Sequence, residues 1–562
     1  MAIQVPLGID DFRMIRERGL DFVDKSGLIC QLVDRAGLQV VLLPRPRRFG
    51  KTVNLSMLRW FFGRSEEDLS HLFTGLQVWE AGEPYRQHFQ RYPVIDLTFK
   101  EVKYDRFDAC WAAIREKIRD LYDLHREVLE SGGLSRVEEQ RYTQILEGTA
   151  EGILYDRALG DLSRYVSRHH RQPVVILIDE YDTPIHEAYL HGYAKEVLQF
   201  FRAFLTGGLK GNPHLFKGVL TGILRVARES LFSGLNNLMV YSLLRPEFSE
   251  YFGFTEPEVD ALLRKAGRAD QVEVVREWYD GYDFGGRVIY NPWSVLSFVA
   301  QQEPEPQPFW LATSSNDLLK ELLVRRAGRV GPTLELLLEG GSLERAIDEH
   351  VVLSELEVSE GAFWSLLVFA GYLRAEKRSH GPGEVATYQL SIPNREVRTI
   401  YTDTFRGWLK ARLEGRGGSL EALQAALLSG DAAGLEAQLQ AFAESLLSYH
   451  DVGGATPEQF YHGFVLGLFA APEPEYQVRS NRESGEGRPD VMVRPARAGG
   501  PGVVLELKVA RAGKKTLEEA LEEGARQIRE RGYAGELAAA GVAPVFAMAV
   551  AFDGKTVRVR EA

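Results

Sequence analysis

The chain has 562 residues, of which 45% are hydrophobic and 26% charged, and its formal net charge is −12. This composition is typical of a globular protein, and the length predicts three or four domains. Cys30 and Cys110 are the only cysteines, which excludes a disulfide framework and a zinc-like cluster and indicates a reducing, cytoplasmic environment. Because no run of eighteen uncharged apolar residues occurs and residues 1–20 carry charges throughout, we expect neither a membrane span nor a signal peptide.

The first predicted strand leads into a segment with the pattern of a phosphate-binding loop. An apolar run over residues 38–43 is followed by Arg-Pro-Arg-Arg-Phe-Gly-Lys-Thr at 45–52 and then by a helical pattern. In this arrangement the N–H groups at the helix start and the lysine hold nucleotide phosphates, and the threonine reaches Mg²⁺. The residues predicted to bind nucleotide here are Arg48, Phe49, Gly50, Lys51 and Thr52, with Thr52 also a metal ligand. The loop departs from the standard pattern, because Arg45 stands where its first glycine is expected.

Two later apolar runs end in residues that suit the same site. Residues 173–180 read as a buried parallel strand that ends in Asp179 and Glu180. We predict that Asp179 holds Mg²⁺ and that Glu180 orients the attacking water. Residues 216–222 form another strand, in which Thr221 could sense the terminal phosphate, and Arg225 with Arg228 could reach phosphate from the segment that follows. The alternative is that the first of these runs is a core strand with a polar end and no ligand.

The spacing of these runs predicts the domain organisation. Strands near residues 40, 95, 176 and 218, separated by helical patterns, predict a parallel α/β sheet. Residues 255–415 have mainly helical patterns, with a turn at 283–286 and a buried aromatic helix at 363–370, and residues 420–449 read as a helical hairpin. We predict four domains, which cover residues 1–250, 251–415, 416–455 and 456–562.

Two short apolar runs near the end of the chain carry acidic and basic residues at informative positions. Asp490 precedes the apolar residues 491–493, and Glu506 and Lys508 lie within the run 503–509. Side chains alternate along a strand, so Glu506 and Lys508 share one face, and Asp490 joins them if the two strands pair. Two carboxylates and an amine suit metal-dependent phosphodiester hydrolysis. We predict Asp490 and Glu506 as ligands of Mg²⁺, and Lys508 as the group that orients or deprotonates water.

Charge in this region leaves an alternative open. The two strands could instead carry an ordinary surface salt bridge, which is a common use of a Glu-x-Lys pattern. From residue 457 to the end, Lys and Arg balance Asp and Glu, so the region is neutral although the chain is acidic. Arg511, Lys514 and Lys515 cluster beside the predicted site, and local basic residues of this kind are predicted to contact phosphate.

The quoted motifs resemble known families. Pro489-Asp490 with Glu506 and Lys508 resembles the PD-(D/E)XK nuclease superfamily, and that resemblance implies that the helix predicted over 516–531 brings Gln527 to the site as a catalytic residue. It also implies a first helix near 460–464, in which His462 is expected to pack or face solvent. The whole chain resembles AAA-ATPase-like proteins fused to such a nuclease domain. The further motifs that carry this resemblance are the loop at 45–52, Asp-Glu-Tyr-Asp at 179–182, Asn-Pro-Trp-Ser at 291–294 and Trp-Leu-Ala-Thr-Ser at 310–314.

These observations predict an α/β protein with a P-loop NTPase-like parallel sheet, a helical middle region and a C-terminal α/β restriction-endonuclease-like domain. The expected function is ATP binding and hydrolysis coupled to Mg²⁺-dependent cleavage of nucleic acid, with ATP and Mg²⁺ as cofactors. The expected partner is nucleic acid, DNA favoured over RNA, with a possible homo-oligomer and no membrane. The alternative is a nucleotide-dependent switch or adaptor that binds nucleic acid or protein without cutting.

Overall fold

The chain is seen in a computed structural model that describes two compact units. The described residues are 3–224, 235–310, 340–350, 355–356, 359–378, 386–414, 418–448, 476–480, 490–495, 499–510, 515–553 and 556–562, with isolated positions between 322 and 338. The first unit comprises Met1–Ser314 and Glu344–Glu396, and the second comprises Ser315–Leu343 and Val397–Ala562. The four predicted domains remain a prediction.

A five-stranded parallel sheet forms the centre of the first unit. Its strands are β1 (Val40–Pro44), β2 (Val94–Thr98), β3 (Val174–Asp179), β4 (Leu215–Gly222) and β5 (Leu238–Val240), in the order β2-β3-β4-β1-β5. Every residue of β1 and β3 is buried, as expected for strands that are covered on both faces. The sequence predictions of β1, β2, β3 and β4 are confirmed, and all four meet with their carboxyl ends at one edge.

Helices cover this sheet. They are α1 (Phe12–Glu17), α2 (Gly27–Asp34), α3 (Lys51–Phe62), α4 (Gln77–Glu80), α5 (Glu83–Arg86), α6 (Phe107–Leu124), α7 (Glu127–Glu130), α8 (Arg136–Leu146), α9 (Gly152–His170), α10 (Thr183–Leu190) and α11 (Ala194–Leu209). Leu55 and Leu58 of α3 share an apolar core with Val41, Leu43 and Val175 of the sheet. Helices α9 and α11 approach so closely that a Cβ on Gly160 would collide with the carbonyl of Gly207. No helix in the described ranges is both long and apolar enough to span a membrane.

The middle region is helical, as predicted, but also contains two small sheets. Its helices are α12 (Glu256–Lys265), α13 (Val272–Tyr279), α14 (Pro292–Ala300) and α15 (Glu360–Phe369), and α16 (Arg395–Glu414) follows. The strands are β6 (Phe254–Thr255), β7 (Tyr282–Phe284) and β8 (Arg287–Tyr290), in the order β6-β8-β7, and β9 (Leu343–Ala346), β10 (Arg374–Lys377) and β11 (Thr387–Ser391), in the order β10-β11-β9. The predicted turn joins β7 to β8, where Gly285 and Gly286 have φ values of 61° and 86°.

A buried carboxyl joins two of the sequence motifs in this region. Glu396 accepts hydrogen bonds from the hydroxyl of Ser294, at 2.8 and 3.0 Å, and from the N–H of Trp310, at 2.8 Å. Burial raises the pKa of Glu396 to about 7, although the bonds from Trp310 and Ser294 act in the opposite direction. The protonated carboxyl is therefore the form that this site favours.

We expect the stability of the first unit to fall between pH 4.5 and 7 because of Glu396. Its pKa is raised on folding, so its contribution is complete below the unfolded value of 4.5 and is lost as pH rises through about 7. The loss is on the order of 3 kcal/mol. Glu396→Gln resembles the protonated form and is expected to lose less thermal stability than wild type between pH 5 and pH 8. Exposed Glu360→Gln serves as control; equal pH slopes in all three proteins would contradict the assignment.

The second unit contains a mixed five-stranded sheet. Its strands are β12 (Tyr476–Ser480), β13 (Val491–Pro495), β14 (Gly502–Val509), β15 (Val545–Asp553) and β16 (Thr556–Glu561), in that order. Only the β14–β15 pair is parallel, and the other three pairs are antiparallel. The parallel pair requires a crossover, which α19 (Leu517–Arg531) and α20 (Tyr533–Ala539) provide.

Both faces of this sheet are covered. The predicted helical hairpin is observed as α17 (Leu420–Ser429) and α18 (Ala432–Ser448), and its Leu423 and Leu439 share an apolar core with Val493 and Leu505 of the sheet. Helix α19 lies on the opposite face, where a Cβ on Gly524 would be 3.1 Å from Ala549 of β15. The predicted pairing of the two strands that carry Asp490, Glu506 and Lys508 is confirmed, with Val491 opposite Leu505.

Candidate nucleotide and nuclease sites

The loop that the sequence predicts to bind phosphate lies between β1 and α3. Arg48 and Gly50 have φ values of 68° and 79°, in the left-handed region, and α3 begins at Lys51. Such turns direct successive N–H groups to one side, at the positive end of a helix. The buried Lys51 ammonium donates to the carbonyls of Arg45, at 3.1 Å, and Pro46, at 2.9 Å, and burial lowers its pKa. The lysine is thus held within the loop.

The strand ends bring together the other predicted nucleotide-site residues. The hydroxyl of Thr52 donates to Asp179 Oδ2 at 2.7 Å, and the hydroxyl of Thr221 donates to Asp179 Oδ1. Burial raises the pKa of Asp179, and the two hydroxyls oppose that shift. A carboxylate beside a threonine hydroxyl at a helix start is a donor set of hard oxygens, which fits Mg²⁺. Asp179 and Thr52 are the residues of this site that would hold the ion.

Glu180 has an unusual backbone conformation for a glutamate. Its φ is 49°, in the left-handed region, and its half-buried carboxylate accepts from the hydroxyl of Thr183 at 3.2 Å. A non-glycine residue in this region costs about 1–3 kcal/mol and is typical of functional sites. Glu180 lies close enough to Asp179 for its charge to contribute to the raised pKa of that carboxyl.

Asp182 links this turn to the strand that carries Thr221. Its Oδ2 accepts from the N–H groups of Ile223, at 2.7 Å, and Leu224, at 2.9 Å. The hydroxyl of Tyr181 donates to the carbonyl of Leu224 at 2.6 Å. Tyr181 and Asp182 of the Asp-Glu-Tyr-Asp motif therefore hold the backbone that follows β4, while Asp179 and Glu180 of the same motif belong to the predicted nucleotide site. The predicted Arg225 and Arg228 lie outside the described residues.

Arg45 has a structural role that explains why no glycine is needed at this position. Its N–H continues the sheet by donating to Gly222 O at 2.9 Å. Its fully buried guanidinium donates to the carbonyls of Pro44, at 2.8 Å, Tyr241, at 2.7 Å, and Phe248, at 3.3 Å. Two phenylalanine rings flank it, with centroids 5.1 and 5.6 Å from Cζ, and these are Phe252 and Phe284. Burial lowers the pKa of Arg45 to about 9.

Replacement of Arg45 is expected to destabilise the first unit. Arg45→Met would leave the carbonyls of Tyr241 and Phe248 buried without this donor, at a cost of about 1–3 kcal/mol. Arg45→Gly restores the standard loop residue but also opens a cavity, so its unfolding temperature is expected to fall further than that of Arg45→Met. Thermal unfolding of both variants tests this order. A glycine variant as stable as wild type would show that the guanidinium contacts contribute nothing.

The middle region holds the rest of the loop. Phe49 is buried and packs edge-on against Tyr282, with 5.0 Å between ring centroids, and in a tilted arrangement against Phe284, with 5.2 Å between centroids. The guanidinium of Arg48 lies 4.3 Å from the ring centroid of Trp293, a cation–π contact. The Asn-Pro-Trp-Ser motif therefore contacts the loop through Trp293, a role that the sequence alone did not indicate.

In the second unit, Asp490, Glu506, Lys508 and Gln527 converge on one face of the sheet. Asp490 Oδ2 accepts a hydrogen bond from the N–H of Leu507 at 2.8 Å. This bond links Asp490, which directly precedes β13, to the neighbouring strand β14. The Lys508 ammonium donates to Glu506 Oε1 at 2.6 Å and to Gln527 Oε1 at 2.8 Å. The four predicted residues are thus brought together by two strands and one helix.

The electrostatics of this cluster differ from those of a surface salt bridge. The side chain of Glu506 is 1% exposed, and its Oε2 has no hydrogen-bond partner among the described residues. Burial, together with the neighbouring Asp490, raises the pKa of Glu506, while Lys508 opposes the shift. Burial also raises the pKa of Asp490. Two buried carboxylates beside each other are costly unless a cation joins them.

A divalent cation fits this donor set. Within the described ranges no three His, Cys, Asp or Glu side chains are placed to share a metal, so the cluster offers two carboxylates. Mg²⁺ is commonly held by one or two carboxylates and keeps several waters. The unpartnered Oε2 of Glu506 is an available oxygen of the required kind. Asp490 and Glu506 are therefore the residues that would hold Mg²⁺ here.

The basic residues predicted to contact phosphate are only partly described. Lys515 forms an ion pair with Glu523, and its pKa is lowered by partial desolvation and by the positive charges of Lys508 and Arg526. Lys515 is thus near the Lys508 cluster. Arg511 and Lys514, and also Pro489, His462 and the predicted helix at 460–464, lie outside the described residues.

Gly524 was missed by the sequence predictions. It lies one turn before Gln527 in α19, and a Cβ there would be 3.4 Å from Lys508 Cγ and 3.8 Å from Glu506 Cγ. Because Gly524 has no side chain, α19 can approach β14 closely at this point. A glycine inside an otherwise strong helical pattern is unfavourable by about 1 kcal/mol relative to alanine, and that was the signal for a packing role.

Comparison with known proteins agrees with this geometry. Residues 6–232 match a family described as "Predicted AAA-ATPase", and residues 456–562 match the PD-(D/E)XK nuclease superfamily. The chain joins an AAA-ATPase-like domain to a PD-(D/E)XK nuclease domain. The AAA-ATPase-like match covers the loop, Asp179, Glu180 and Thr221, and the nuclease match covers Asp490, Glu506, Lys508 and Gln527.

A relative of similar length aligns with nearly the whole chain. An uncharacterized protein from the vnfD 5′ region of Azotobacter chroococcum mcd 1 is 29% identical over 559 residues, which is 98% of this chain and 96% of the relative. The resemblance to AAA-ATPase-like proteins fused to a nuclease domain is confirmed. Residues between the two matched segments, which include Trp293 and Glu396, belong to neither family match.

Proposed function

We propose that the AAA-ATPase-like domain binds and hydrolyses ATP, that the PD-(D/E)XK domain cleaves nucleic acid with Mg²⁺, and that nucleotide regulates the cleavage. The observation that carries this proposal is the buried cluster of Asp490, Glu506 and Lys508, in which Glu506 Oε2 has no partner among the described residues. A cluster built only for stability would leave no buried carboxylate oxygen without a partner.

The residues of the nuclease domain have distinct roles in this proposal. Mg²⁺, when bound, supplies Lewis-acid stabilisation of the charge that develops on the phosphate. Asp490 and Glu506 hold the ion, and the N–H of Leu507 fixes one carboxylate oxygen of Asp490. The Lys508 ammonium donates hydrogen bonds to the attacking water and to the phosphate. Gln527 keeps the ammonium in place through its bond to Nζ.

The residues of the nucleotide site also have distinct roles in this proposal. A phosphate that enters the loop replaces the Arg45 and Pro46 carbonyls as acceptors for Lys51, since charge-assisted bonds to phosphate are stronger. Thr52 and Asp179 hold Mg²⁺ with the nucleotide. Glu180 orients the attacking water, and Thr221 responds to the terminal phosphate through Asp179.

The composition and the two domains support a proposal for the substrate and the cellular location of the protein. We propose nucleic acid as the substrate, DNA in preference to RNA, in a cytoplasmic protein that could form homo-oligomers. Regulation by nucleotide is supported by the presence of both domains in one chain. A switch that binds nucleotide but does not cut is the competing function.

The test is a cleavage assay with the full-length protein. Labelled single- and double-stranded DNA and RNA are incubated with Mg²⁺ or EDTA, each with and without ATP. We expect cleavage with Mg²⁺, none with EDTA, and a rate that ATP changes. Lys51→Ala is expected to remove the effect of ATP and keep the Mg²⁺-dependent reaction, and exposed Lys210→Ala is the matched control.

Two results would reject parts of the proposal. An ATP effect that persists in Lys51→Ala would remove the link between the loop and the nuclease. If wild type cuts no substrate under any nucleotide condition while it binds ATP, the switch replaces the nuclease as the proposed function.

A further inference from the structure

The Asn-Pro-Trp-Ser motif at 291–294 contacts the predicted phosphate-binding loop through one aromatic side chain. The ring centroid of Trp293 lies 4.3 Å from Cζ of Arg48. At this distance the guanidinium lies against the indole ring, whose quadrupole attracts a cation. Trp293 is outside both matched family segments. The contact therefore joins the loop to a residue of the middle region that has no role in the proposed function.

Hydrogen bonds on both sides of Trp293 hold its ring in place. The indole N–H donates to the carbonyl of Phe309 at 3.3 Å. Asn291 caps α14, and its side-chain oxygen accepts from the N–H of Trp293 at 2.9 Å. The next residue, Ser294, is buried and donates its hydroxyl to Glu396. Because the ring and the helix start are both fixed by other residues of the first unit, Trp293 forms a rigid surface for Arg48.

The guanidinium of Arg48 is available for a ligand, unlike that of Arg45. Among the described residues, no carbonyl or carboxylate accepts a hydrogen bond from Arg48, whereas the Arg45 guanidinium donates to three carbonyls. Arg48 is also exposed. A guanidinium that stacks on a ring through its face still directs N–H donors outward from its edge, and this fork matches two oxygens of a phosphate.

The charges around Arg48 are those of the predicted hydrolysis site. Partial desolvation lowers the pKa of Arg48, and the negative charge of Glu180 opposes that shift. The same carboxylate opposes the lowering of the pKa of Lys51. Glu180 therefore interacts with Arg48 and with Lys51. Since Glu180 is proposed to orient the water that attacks the terminal phosphate, Arg48 lies on the side of the loop where that phosphate is expected.

We propose that Trp293 is a positioning residue of the nucleotide site, which holds the Arg48 guanidinium where its N–H groups bind the terminal phosphate of ATP. This role rests on the proposed nucleotide function and adds a basis for preferring ATP to ADP. ADP lacks the phosphate that Arg48 binds, so the pair contributes to the affinity for ATP alone. Trp293 acts through Arg48 and does not touch the nucleotide.

The experiment measures the affinities of the full-length protein for ADP and for AMP-PNP, a non-hydrolysable analogue of ATP, by calorimetry with Mg²⁺. Arg48→Ala is expected to weaken AMP-PNP binding about 10- to 100-fold and to leave ADP binding within about twofold. Trp293→Leu removes the cation–π contact and is expected to weaken AMP-PNP binding about threefold to tenfold while sparing ADP. In the double variant the loss is expected to equal that of Arg48→Ala alone, because Trp293 acts only through the guanidinium.

Two further variants serve as controls. Trp278→Leu removes a matched cation–π pair, in which the Trp278 ring lies 4.9 Å from Cζ of Arg395, and is expected to change neither affinity. Trp293→Phe keeps an aromatic face against Arg48. Should Trp293→Leu unfold at lower temperature, Trp293→Phe decides: AMP-PNP binding within about twofold of wild type supports the positioning role, and any larger loss overturns it.

The other outcomes separate this inference from the proposed function. Equal losses of ADP and AMP-PNP binding in Arg48→Ala, or no loss, would overturn the contact between Arg48 and the terminal phosphate. A Trp293→Leu loss that is as large with Ala at position 48 as with Arg would overturn the positioning role. Both results leave the nucleotide function standing, whereas wild type that binds neither ligand would overturn that function itself.

Discussion

Asp490→Asn and Glu506→Gln are each expected to abolish Mg²⁺-dependent cleavage of nucleic acid. Each substitution keeps the size of the side chain but removes a carboxylate that would hold the ion, and a site of two carboxylates has no replacement for either. Lys508→Ala is expected to slow cleavage about 10²–10⁴-fold, since it removes a group that acts on water and phosphate. Single-turnover rates on a labelled substrate measure these effects.

Stability gives an independent readout for the same variants. Burial raises the pKa of both Asp490 and Glu506, and each carboxylate is close to the other, so their charges cost free energy in the folded protein. The neutral variants are therefore expected to unfold at the same temperature as wild type or higher. Residues that merely support the fold would instead lower the unfolding temperature when replaced.

Matched controls lie on the same elements. Glu530→Gln, on the exposed side of α19, and Asp553→Asn, at the exposed end of β15, change the same charge without touching the cluster. Both are expected to cleave at the wild-type rate. Full activity in Asp490→Asn and Glu506→Gln would assign any observed cleavage to another site or to a contaminant.

Lys51→Ala is expected to weaken ATP binding about 10- to 100-fold, because charge-assisted hydrogen bonds are worth about 1.5–3 kcal/mol. Glu180→Gln is expected to bind ATP as wild type does and to hydrolyse it about 10²–10⁴-fold more slowly. Fluorescent-nucleotide titration measures the first effect, and phosphate release measures the second. The two variants thus separate binding from hydrolysis within one site.

The outcomes bear on different residues. Equal ATP affinity in wild type and Lys51→Ala, with Lys210→Ala as the exposed control, would reject the phosphate-binding loop. An unchanged hydrolysis rate in Glu180→Gln would reject only the role of Glu180. Its left-handed backbone, with φ of 49°, would then need an explanation other than catalysis.

The local elements could be predicted from the sequence because local physics determines them. Continuous apolar runs identified β1, β3 and β4, since strands buried on both faces leave no polar positions except at their ends. Alternation along β14 placed Glu506 and Lys508 on one face before any pairing was known. The helix predicted over 516–531 is observed as α19, which spans Leu517–Arg531 and is capped by Thr516 and Gly532.

Contacts between distant parts of the chain required the tertiary structure. Ser294, Trp310 and Glu396 meet in one hydrogen-bonded cluster although up to 102 positions separate them. The strands of the two small sheets in the middle region are two to five residues long, too short for a periodic signal. The substitution of Arg45 for a loop glycine looked like a defect, because nothing in the local sequence reveals the three carbonyls that its guanidinium binds.

The candidate sites divide in the same way. The sequence alone determined which side chains could carry the chemistry, since residue type and strand period depend only on neighbours along the chain. Tertiary structure decided how they meet: the antiparallel register sets Asp490 against Leu507, and the crossover helix brings Gln527 to Lys508 past Gly524. Both depend on side chains that pack across long sequence separations, and no local pattern encodes that packing.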